Sequence, residues 1–313
     1  MNRIGAFLFL LLAVLGGPLQ GQEAQQERLT VSERVDWQGG ALILEVALAI
    51  DAKEFTPASR FEAEREIERL LPGLFMSAAV KIPFDSYRTI GERLKEDHGL
   101  FRQLENAATA SVSKRYSRVR GDLQEIQVQY RFPFYGEGGF VAPLINHERP
   151  FPIERKLGFV PSRNFTGLVI YARGELPAHG KDIRQRVRPA LFPSLYDEDM
   201  NPVLSVEMCD PAYLRRWGMA AYTDSEKESA FLERIGAAPL RTVARGVFGI
   251  NATDLLLPEE AVERLLVREA NRTLLAQGRV LIVIDSVESS GESSGGASNR
   301  GSGQASGRAS GED

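Results

Sequence analysis

Along residues 124–132 every second position is apolar. Ile126, Val128, Tyr130 and Phe132 fall on one face of an extended chain, and Glu125, Gln127, Gln129 and Arg131 fall on the other. Such a strand needs a sheet that is packed on one side and wet on the other, which favours antiparallel neighbours. Residues 41–50 repeat the pattern: Leu42, Leu44, Val46, Leu48 and Ile50 share a face, and Glu45 lies opposite among small residues. A turn at residues 35–40, ending in Gly39 and Gly40, precedes them.

Helices are expected between these two strands. Ser59 with Glu62 has the spacing of a capping box, and Ile67, Leu70, Leu71, Leu74, Phe75 and Ala78 recur at helical intervals. Pro72 inside that stripe should kink or end the helix. Thr89 with Glu92 opens a second helical region reaching about Val112, interrupted near Gly99.

A second unit begins near residue 158. Leu168, Val169, Ile170 and Tyr171 form a short apolar run between glycines, and Val280, Leu281, Ile282, Val283 and Ile284 are wholly apolar, as in a central strand covered on both faces. Residues 187–199 carry Pro189 and Pro193 and are expected at a sheet edge. Further short strands are expected at 202–208, 217–222 and 241–250. Ser225 with Glu228 should cap a helix that Gly236 ends, and Pro258, Glu259 and Glu260 should open another. With no regular βαβ period, the reading is α+β: largely antiparallel sheets with packed helices, in units 29–157 and 158–285. Residues 286–313, rich in Ser and Gly, hold too little apolar surface to fold and should form a flexible tail.

The first 21 residues read as a signal peptide: Arg3, an apolar run over residues 6–15, then Gly16, Gly17 and Pro18 ahead of small cleavage-site residues. That run is too short to span a bilayer, which takes about 20 residues. The mature chain should therefore be periplasmic or secreted, with no transmembrane segment, and no cysteine follows for lipid attachment. A net charge of −4 argues against bulk binding to nucleic acid. Cys209, the only cysteine, can form no internal disulfide and reads as a buried small hydrophobe.

Ser111 and Lys114 match S-x-x-K at a helix end, with Ser162 and Asn164 as an S-x-N partner. This is the enzyme alternative, a serine–lysine hydrolase acting on cell-wall material, but no K-T-G-like strand follows. A G-x-S-x-G match at 291–295 lies in the Ser/Gly tail without the strand and helix that such a serine needs. Asp197, Asp199 and Asn201 open like a calcium loop, yet Pro202 and Met208 occupy the glycine and bidentate positions, so an acidic turn is expected. His98, His147 and His179 lack metal-ligand spacing. No metal or cofactor is expected. Two basic clusters stand out, Arg184, Arg186 and Arg188, and Lys114, Arg115 and Arg118 with Arg120. They read as solvated faces or as contacts for an anionic partner such as a cell-wall polymer.

The runs at 166–172 (Thr-Gly-Leu-Val-Ile-Tyr-Ala), 188–193 (Arg-Pro-Ala-Leu-Phe-Pro), 196–199, 249–254 and 278–285 together resemble the FlgP/FlgT-type flagellar lipoproteins and uncharacterised exported proteins of spirochaetes. The resemblance covers residues 164–285, with a weaker echo in residues 35–50 and the helix after them. It implies an envelope or flagellum-associated structural role, with envelope or flagellar proteins as partners. It supplies no catalytic residues, and this chain lacks the lipid-bearing cysteine of the flagellar group. Residues and resemblance converge on an exported, non-enzymatic envelope protein with a structural or binding role.

Overall fold

The computed structural model describes residues 28–50, 56–120 and 124–286. The expected signal peptide, the G-x-S-x-G match and the tail beyond Ser286 lie outside the described residues.

The first half is one antiparallel sheet with helices on one face. Strands β1 (Leu29–Asp36) and β2 (Ala41–Ala49) form a hairpin, and helices α1 (Pro57–Ala79), α2 (Ile90–Glu96) and α3 (His98–Ser111) follow. β3 (Ser113–Val119) and β4 (Glu125–Pro133) complete a sheet of order β1-β2-β4-β3. The two alternating segments pair in register, Leu42 opposite Phe132, Leu44 opposite Tyr130, Val46 opposite Val128 and Leu48 opposite Ile126. Eight apolar or aromatic side chains thus meet the helices as one layer.

In this half two strands escaped the sequence reading. β1 and β3 are the sheet edges: Leu29, Val31 and Val35 of β1 share a face that Glu33 interrupts, and a bulge between Lys114 and Tyr116 breaks the period of β3. α1 begins earlier than expected. Thr56, not Ser59, is the N-cap: its side chain accepts from the Ser59 N–H at 3.1 Å, and the Ser59 hydroxyl oxygen accepts from the Thr56 N–H at 2.8 Å. The helix also runs through Pro72 to Ala79. The capping box at Thr89 forms as expected, with Glu92 accepting from the Thr89 N–H at 2.7 Å.

The second half contains β5 (Leu168–Tyr171), β6 (Glu175–Pro177), β7 (Arg184–Arg186), β8 (Leu195–Tyr196) and β9 (Pro202–Leu204). After these come α4 (Pro211–Trp217), β10 (Ala221–Thr223), α5 (Leu232–Ile235), β11 (Leu240–Val243), β12 (Gly246–Phe248) and β13 (Asp254–Leu256). Helices α6 (Glu259–Leu266) and α7 (Glu269–Ala276) precede β14 (Val280–Val283). The apolar runs β5 and β14 lie side by side at the centre of a parallel sheet of order β10-β14-β5-β11. Leu168, Ile170, Val280 and Ile282 join the main core, and Val169, Leu281 and Val283 pack with Ile235 on the other side. Covering both faces is what their lack of alternation requires.

A second sheet, β12-β13-β8-β9, mixes parallel and antiparallel pairs, and β6 with β7 form a separate hairpin. Residues 187–194 are loop instead of edge strand. Their N–H groups at Arg188, Leu191 and Phe192 bond to the carbonyls of Ala252, Pro83 and Phe84, and only β8 enters a sheet, at an interior position. Trp217 closes α4 instead of opening a strand. The expected helix at 225–235 is a 3-10 turn (Glu228–Phe231) running into α5, with no side-chain cap.

The two halves share one core. Trp37 meets Phe134 and Tyr222 edge-on at 5.6 and 5.8 Å, and Phe84 meets Phe192 at 4.9 Å. Across the same seam the Gly136 N–H donates to the Arg215 carbonyl and the Asn251 N–H to the Ser86 carbonyl. The protein is therefore α+β, with a one-sided antiparallel sheet welded to a second half built on a parallel one.

Candidate functional site

A pocket of about 290 Å³ opens between α1, α3 and the sheet. α1 contributes Glu68, Leu71, Pro72 and Phe75, whose spacing puts them on one helical face. Ala108, Thr109 and Val112 come from the end of α3, Lys114 from β3, and Tyr130 and Phe132 from β4. Phe75 forms the floor, with ring centroids 4.8 Å from Phe132 and 5.1 Å from Phe140.

Tyr130 is 2% exposed, and its hydroxyl has no hydrogen-bond partner. A buried donor left unsatisfied costs about 1–3 kcal/mol. Burial, with Glu68 and Glu64 adding to it and Lys114 opposing, pushes the phenol up to about 12, so at neutral pH it is protonated and able to donate. At the pocket mouth the Lys114 ammonium lies 2.7 Å from Glu68 Oε1 and 3.1 Å from Glu64 Oε2. Glu64 also accepts from the Ser117 hydroxyl at 2.6 Å and from Arg60 Nε at 3.1 Å. The Ser117 bond chiefly holds its carboxyl below the usual range, against burial.

The S-x-x-K residues are engaged separately. The Ser111 hydroxyl donates back to the Ala107 carbonyl at 3.0 Å within α3, and Ser111 does not line the pocket. Burial pulls the Lys114 ammonium down, but its bonds to Glu68 and Glu64 prevail and hold it above its usual value. A serine–lysine pair needs a neutral lysine facing the hydroxyl. Here the lysine faces carboxylates.

The basic clusters divide likewise. A β-bulge between Lys114 and Tyr116 turns Lys114 toward Tyr130, while Arg118 stands opposite Gln127 on the open face and donates to its side-chain oxygen at 2.6 Å. Arg115 is exposed at the bulge. Arg184 and Arg186 lie on β7 and Arg188 lies past its end. All three are exposed: Arg184 donates to the Glu175 carbonyl across its own hairpin, and Arg186 is 4.0 Å from Asp285.

Asp197 forms the expected acidic turn. It is buried and accepts from the N–H groups of Asp199 and Asn201 at 3.1 and 2.7 Å. Cys209 is buried, and burial pushes its thiol up to about 12. His147 Nε2 lies 2.8 Å from the Cys209 carbonyl, and His179 packs edge-on against Phe248. Among the described residues no group of three or more His, Cys, Asp and Glu could hold a metal ion, and no helix is long and apolar enough to cross a membrane.

Sequence reasoning missed the pocket, since it treated Tyr130 as one more core-facing aromatic. The signal was there: Tyr130 is the only hydroxyl on an otherwise apolar strand face, and a buried hydroxyl demands a partner.

Residues 28–137, which hold this pocket, match the family model described as Treponema pallidum Tp0624, N-terminal domain. Residues 167–286, which hold the parallel sheet and the arginine hairpin, match Treponema pallidum Tp0624, second domain. The chain is similar to two domains of one spirochaete protein. The expected likeness to spirochaete proteins is thereby found in both halves, in the 164–285 stretch that chiefly carried it and in the first half, where residues 35–50 and the helix after them gave a weaker echo. No curated protein matches the chain. Both Tp0624-like halves meet at the Trp37–Tyr222 seam, so the two matched domains form one packed body here.

Proposed function

We propose that this chain is an exported envelope protein that works by binding within a larger assembly, with no reaction of its own. One observation carries the reading: the seam between the Tp0624-like halves is fixed by aromatic contacts, Phe84 on Phe192 buried and Trp37 on Tyr222 partly so, and by backbone bonds running in both directions. Such a body holds two surfaces at a set distance, which is what a structural component needs and a hinged enzyme does not. The apolar run at residues 6–15 supports export, and the flagellum-associated place in the envelope rests on the resemblance to flagellar lipoproteins read in the residues of 164–285 alone.

The test is a pull-down with the full chain from native cell envelopes, paired with a deletion strain. Recovery of a defined envelope or flagellar protein is expected, together with altered motility or envelope integrity. Normal motility and an intact envelope in the deletion strain would sink this reading. Ser111→Ala should leave the phenotype unchanged, whereas its loss would restore the hydrolase alternative.

A second reading is favoured by the exposed guanidinium groups of Arg184, Arg186 and Arg188, which bind an anionic wall polymer electrostatically. Retention on purified wall fragments should fall steeply with added salt and should be lost on replacing all three with Ser. Salt-independent retention would exclude it.

A further inference from the structure

We propose that β1 pairs edge to edge with β1 of a second copy of this chain, antiparallel about Ser32, so that each copy's Arg28 completes a carboxylate cleft at the far end of its partner's strand. β1 is a sheet edge eight residues long. The Ala49 N–H donates to the Arg28 carbonyl, so Arg28 and the even-numbered residues after it turn their backbone groups toward β2. Leu29, Val31, Glu33 and Val35 therefore turn theirs outward, and among the described residues no hydrogen bond reaches those groups. Such a row is a template for another strand. The opposite edge is guarded: β3 is bulged between Lys114 and Tyr116, and Arg60 covers the Ser117 carbonyl at 3.5 Å. β1 has one guard of that kind, Glu33 on the helix side, and Lys81 neutralises it at 2.6 Å.

The charges along β1 choose a second copy as the occupant. Arg28 stands at one end and Asp36 at the other, and antiparallel pairing about Ser32 sets each Arg28 directly opposite the partner's Asp36. Arg28 forms no ion pair among the described residues, and its guanidinium donates to the Ala49 carbonyl at 3.2 Å. Asp36 accepts from the Gly39 N–H and Asp224 from the Ser286 hydroxyl, and neither forms an ion pair among the described residues. Together with Arg34, Trp37 and Asp285 they line a cavity of about 180 Å³ beside the end of β1. Arg186 lies 4.0 Å from Asp285, which leaves Asp36 and Asp224 for the incoming guanidinium. On the helix side Leu29 meets the partner's Val35 and Val31 meets the partner's Glu33, which continues the apolar layer of β2 across the junction. The registers two residues away are worse: one sets Arg28 against the partner's Arg34, and the other sets Glu33 against the partner's Glu33. This pairing goes beyond the envelope reading and does not rest on it.

The experiment is sedimentation equilibrium of the full chain, with thermal unfolding of each variant alongside. A dimer is expected, with a dissociation constant on the order of 10 µM, as suits an interface at the small end of specific ones. Val31→Pro removes an outward N–H that β2 does not use, so it should leave a monomer that still unfolds cooperatively. Arg28→Glu, on an exposed side chain, should weaken the dimer about tenfold or more. Ser32→Cys reads the register. It faces its own copy across the junction at a separation that a disulfide spans, so mild oxidation should give a covalent dimer. Thr30→Cys, displaced from that centre, should give none, and the buried Cys209 does not compete. A wild-type chain that stays monomeric at about 200 µM, whatever else it binds, overturns the proposal. So does a Val31→Pro dimer as tight as the wild type, or cross-linking of Thr30→Cys as complete as that of Ser32→Cys. Where Val31→Pro fails to fold, undiminished affinity in Arg28→Glu decides against the pairing equally.

Discussion

The Ser86 hydroxyl donates to Asp254 Oδ2 at 2.6 Å, joining residues 168 positions apart in the chain. Both side chains are almost fully buried, and the bond crosses the seam between the two halves. Asp254 Oδ1 accepts from the Ser194 N–H at 2.9 Å and from the Thr253 hydroxyl at 3.2 Å, so three donors converge on one carboxyl. Gly249 lies against the same serine with φ +93, and a Cβ there would come within 2.3 Å of Ser86 Cβ. The seam is close enough at this point to exclude a methyl group.

Ser86→Ala is expected to destabilise the protein by about 1–3 kcal/mol, the cost of leaving a buried polar group short of a hydrogen-bond partner. Urea unfolding at neutral pH measures it. Gly249→Ala should cost more, because it adds a steric clash to a backbone conformation that side chains disfavour. A near-neutral result for both would mean that the seam relaxes freely.

Asp254 should make stability fall as pH rises through the mildly acidic range. Burial pushes its carboxyl above the usual carboxylate value, and the bonds from Ser86, Ser194 and Thr253 only partly offset that. The folded state therefore holds this proton more tightly than the unfolded chain does. Its contribution is fully present below the unfolded value of about 3.9 and is lost as pH passes the raised folded value. Asp254→Asn cannot titrate, so the stability difference between wild type and variant should shrink or reverse with rising pH over that window. A pH-independent difference between paired urea midpoints would contradict this.

Glu64 works in the opposite sense. The Ser117 hydroxyl foremost, then Lys114 and Arg60, hold its carboxyl below the usual range despite burial. The stabilisation is present above the unfolded value and lost as pH falls through the folded one. Ser117→Ala should raise the Glu64 titration midpoint and weaken the protein most at neutral pH. Carbon-detected NMR titration of the Glu64 carboxyl reads the shift directly.

Arg234 should be the least replaceable cation of the second half. It is 8% exposed and donates to the carbonyls of Gly278, Trp217 and Gly218 at 2.8, 2.6 and 2.7 Å, closing the C-terminal end of α4. Arg234→Met removes all three donors and is expected to cost about 3 kcal/mol, at about 1 kcal/mol per bond. Arg234→Lys should recover only part of it, since an ammonium cannot reproduce the planar fork. Thermal unfolding of the two variants ranks them.

The local rules carried far where they had strong signals. The alternation of Ile126, Val128, Tyr130 and Phe132, the unbroken apolar run of β14 and the Thr89–Glu92 cap all became the elements they announce. The misses have physical reasons. β1 and β3 are edges whose rows are interrupted, by Glu33 in the one and by the bulge between Lys114 and Tyr116 in the other, and Pro72 is tolerated because packing on one face holds α1 across the missing N–H. The S-x-x-K spacing could not show that Ser111 turns back into its own helix while a bulge turns Lys114 toward Glu64 and Glu68.

What the sequence determined by itself is therefore the set of elements and the faces they bury, because hydrophobic period and caps act over a few neighbouring residues. Only the tertiary structure decided which distant groups meet: Ser86 with Asp254, Arg234 with three carbonyls, and Lys114 with Glu64 and Glu68. Those meetings depend on how whole layers stack, and no local pattern encodes that.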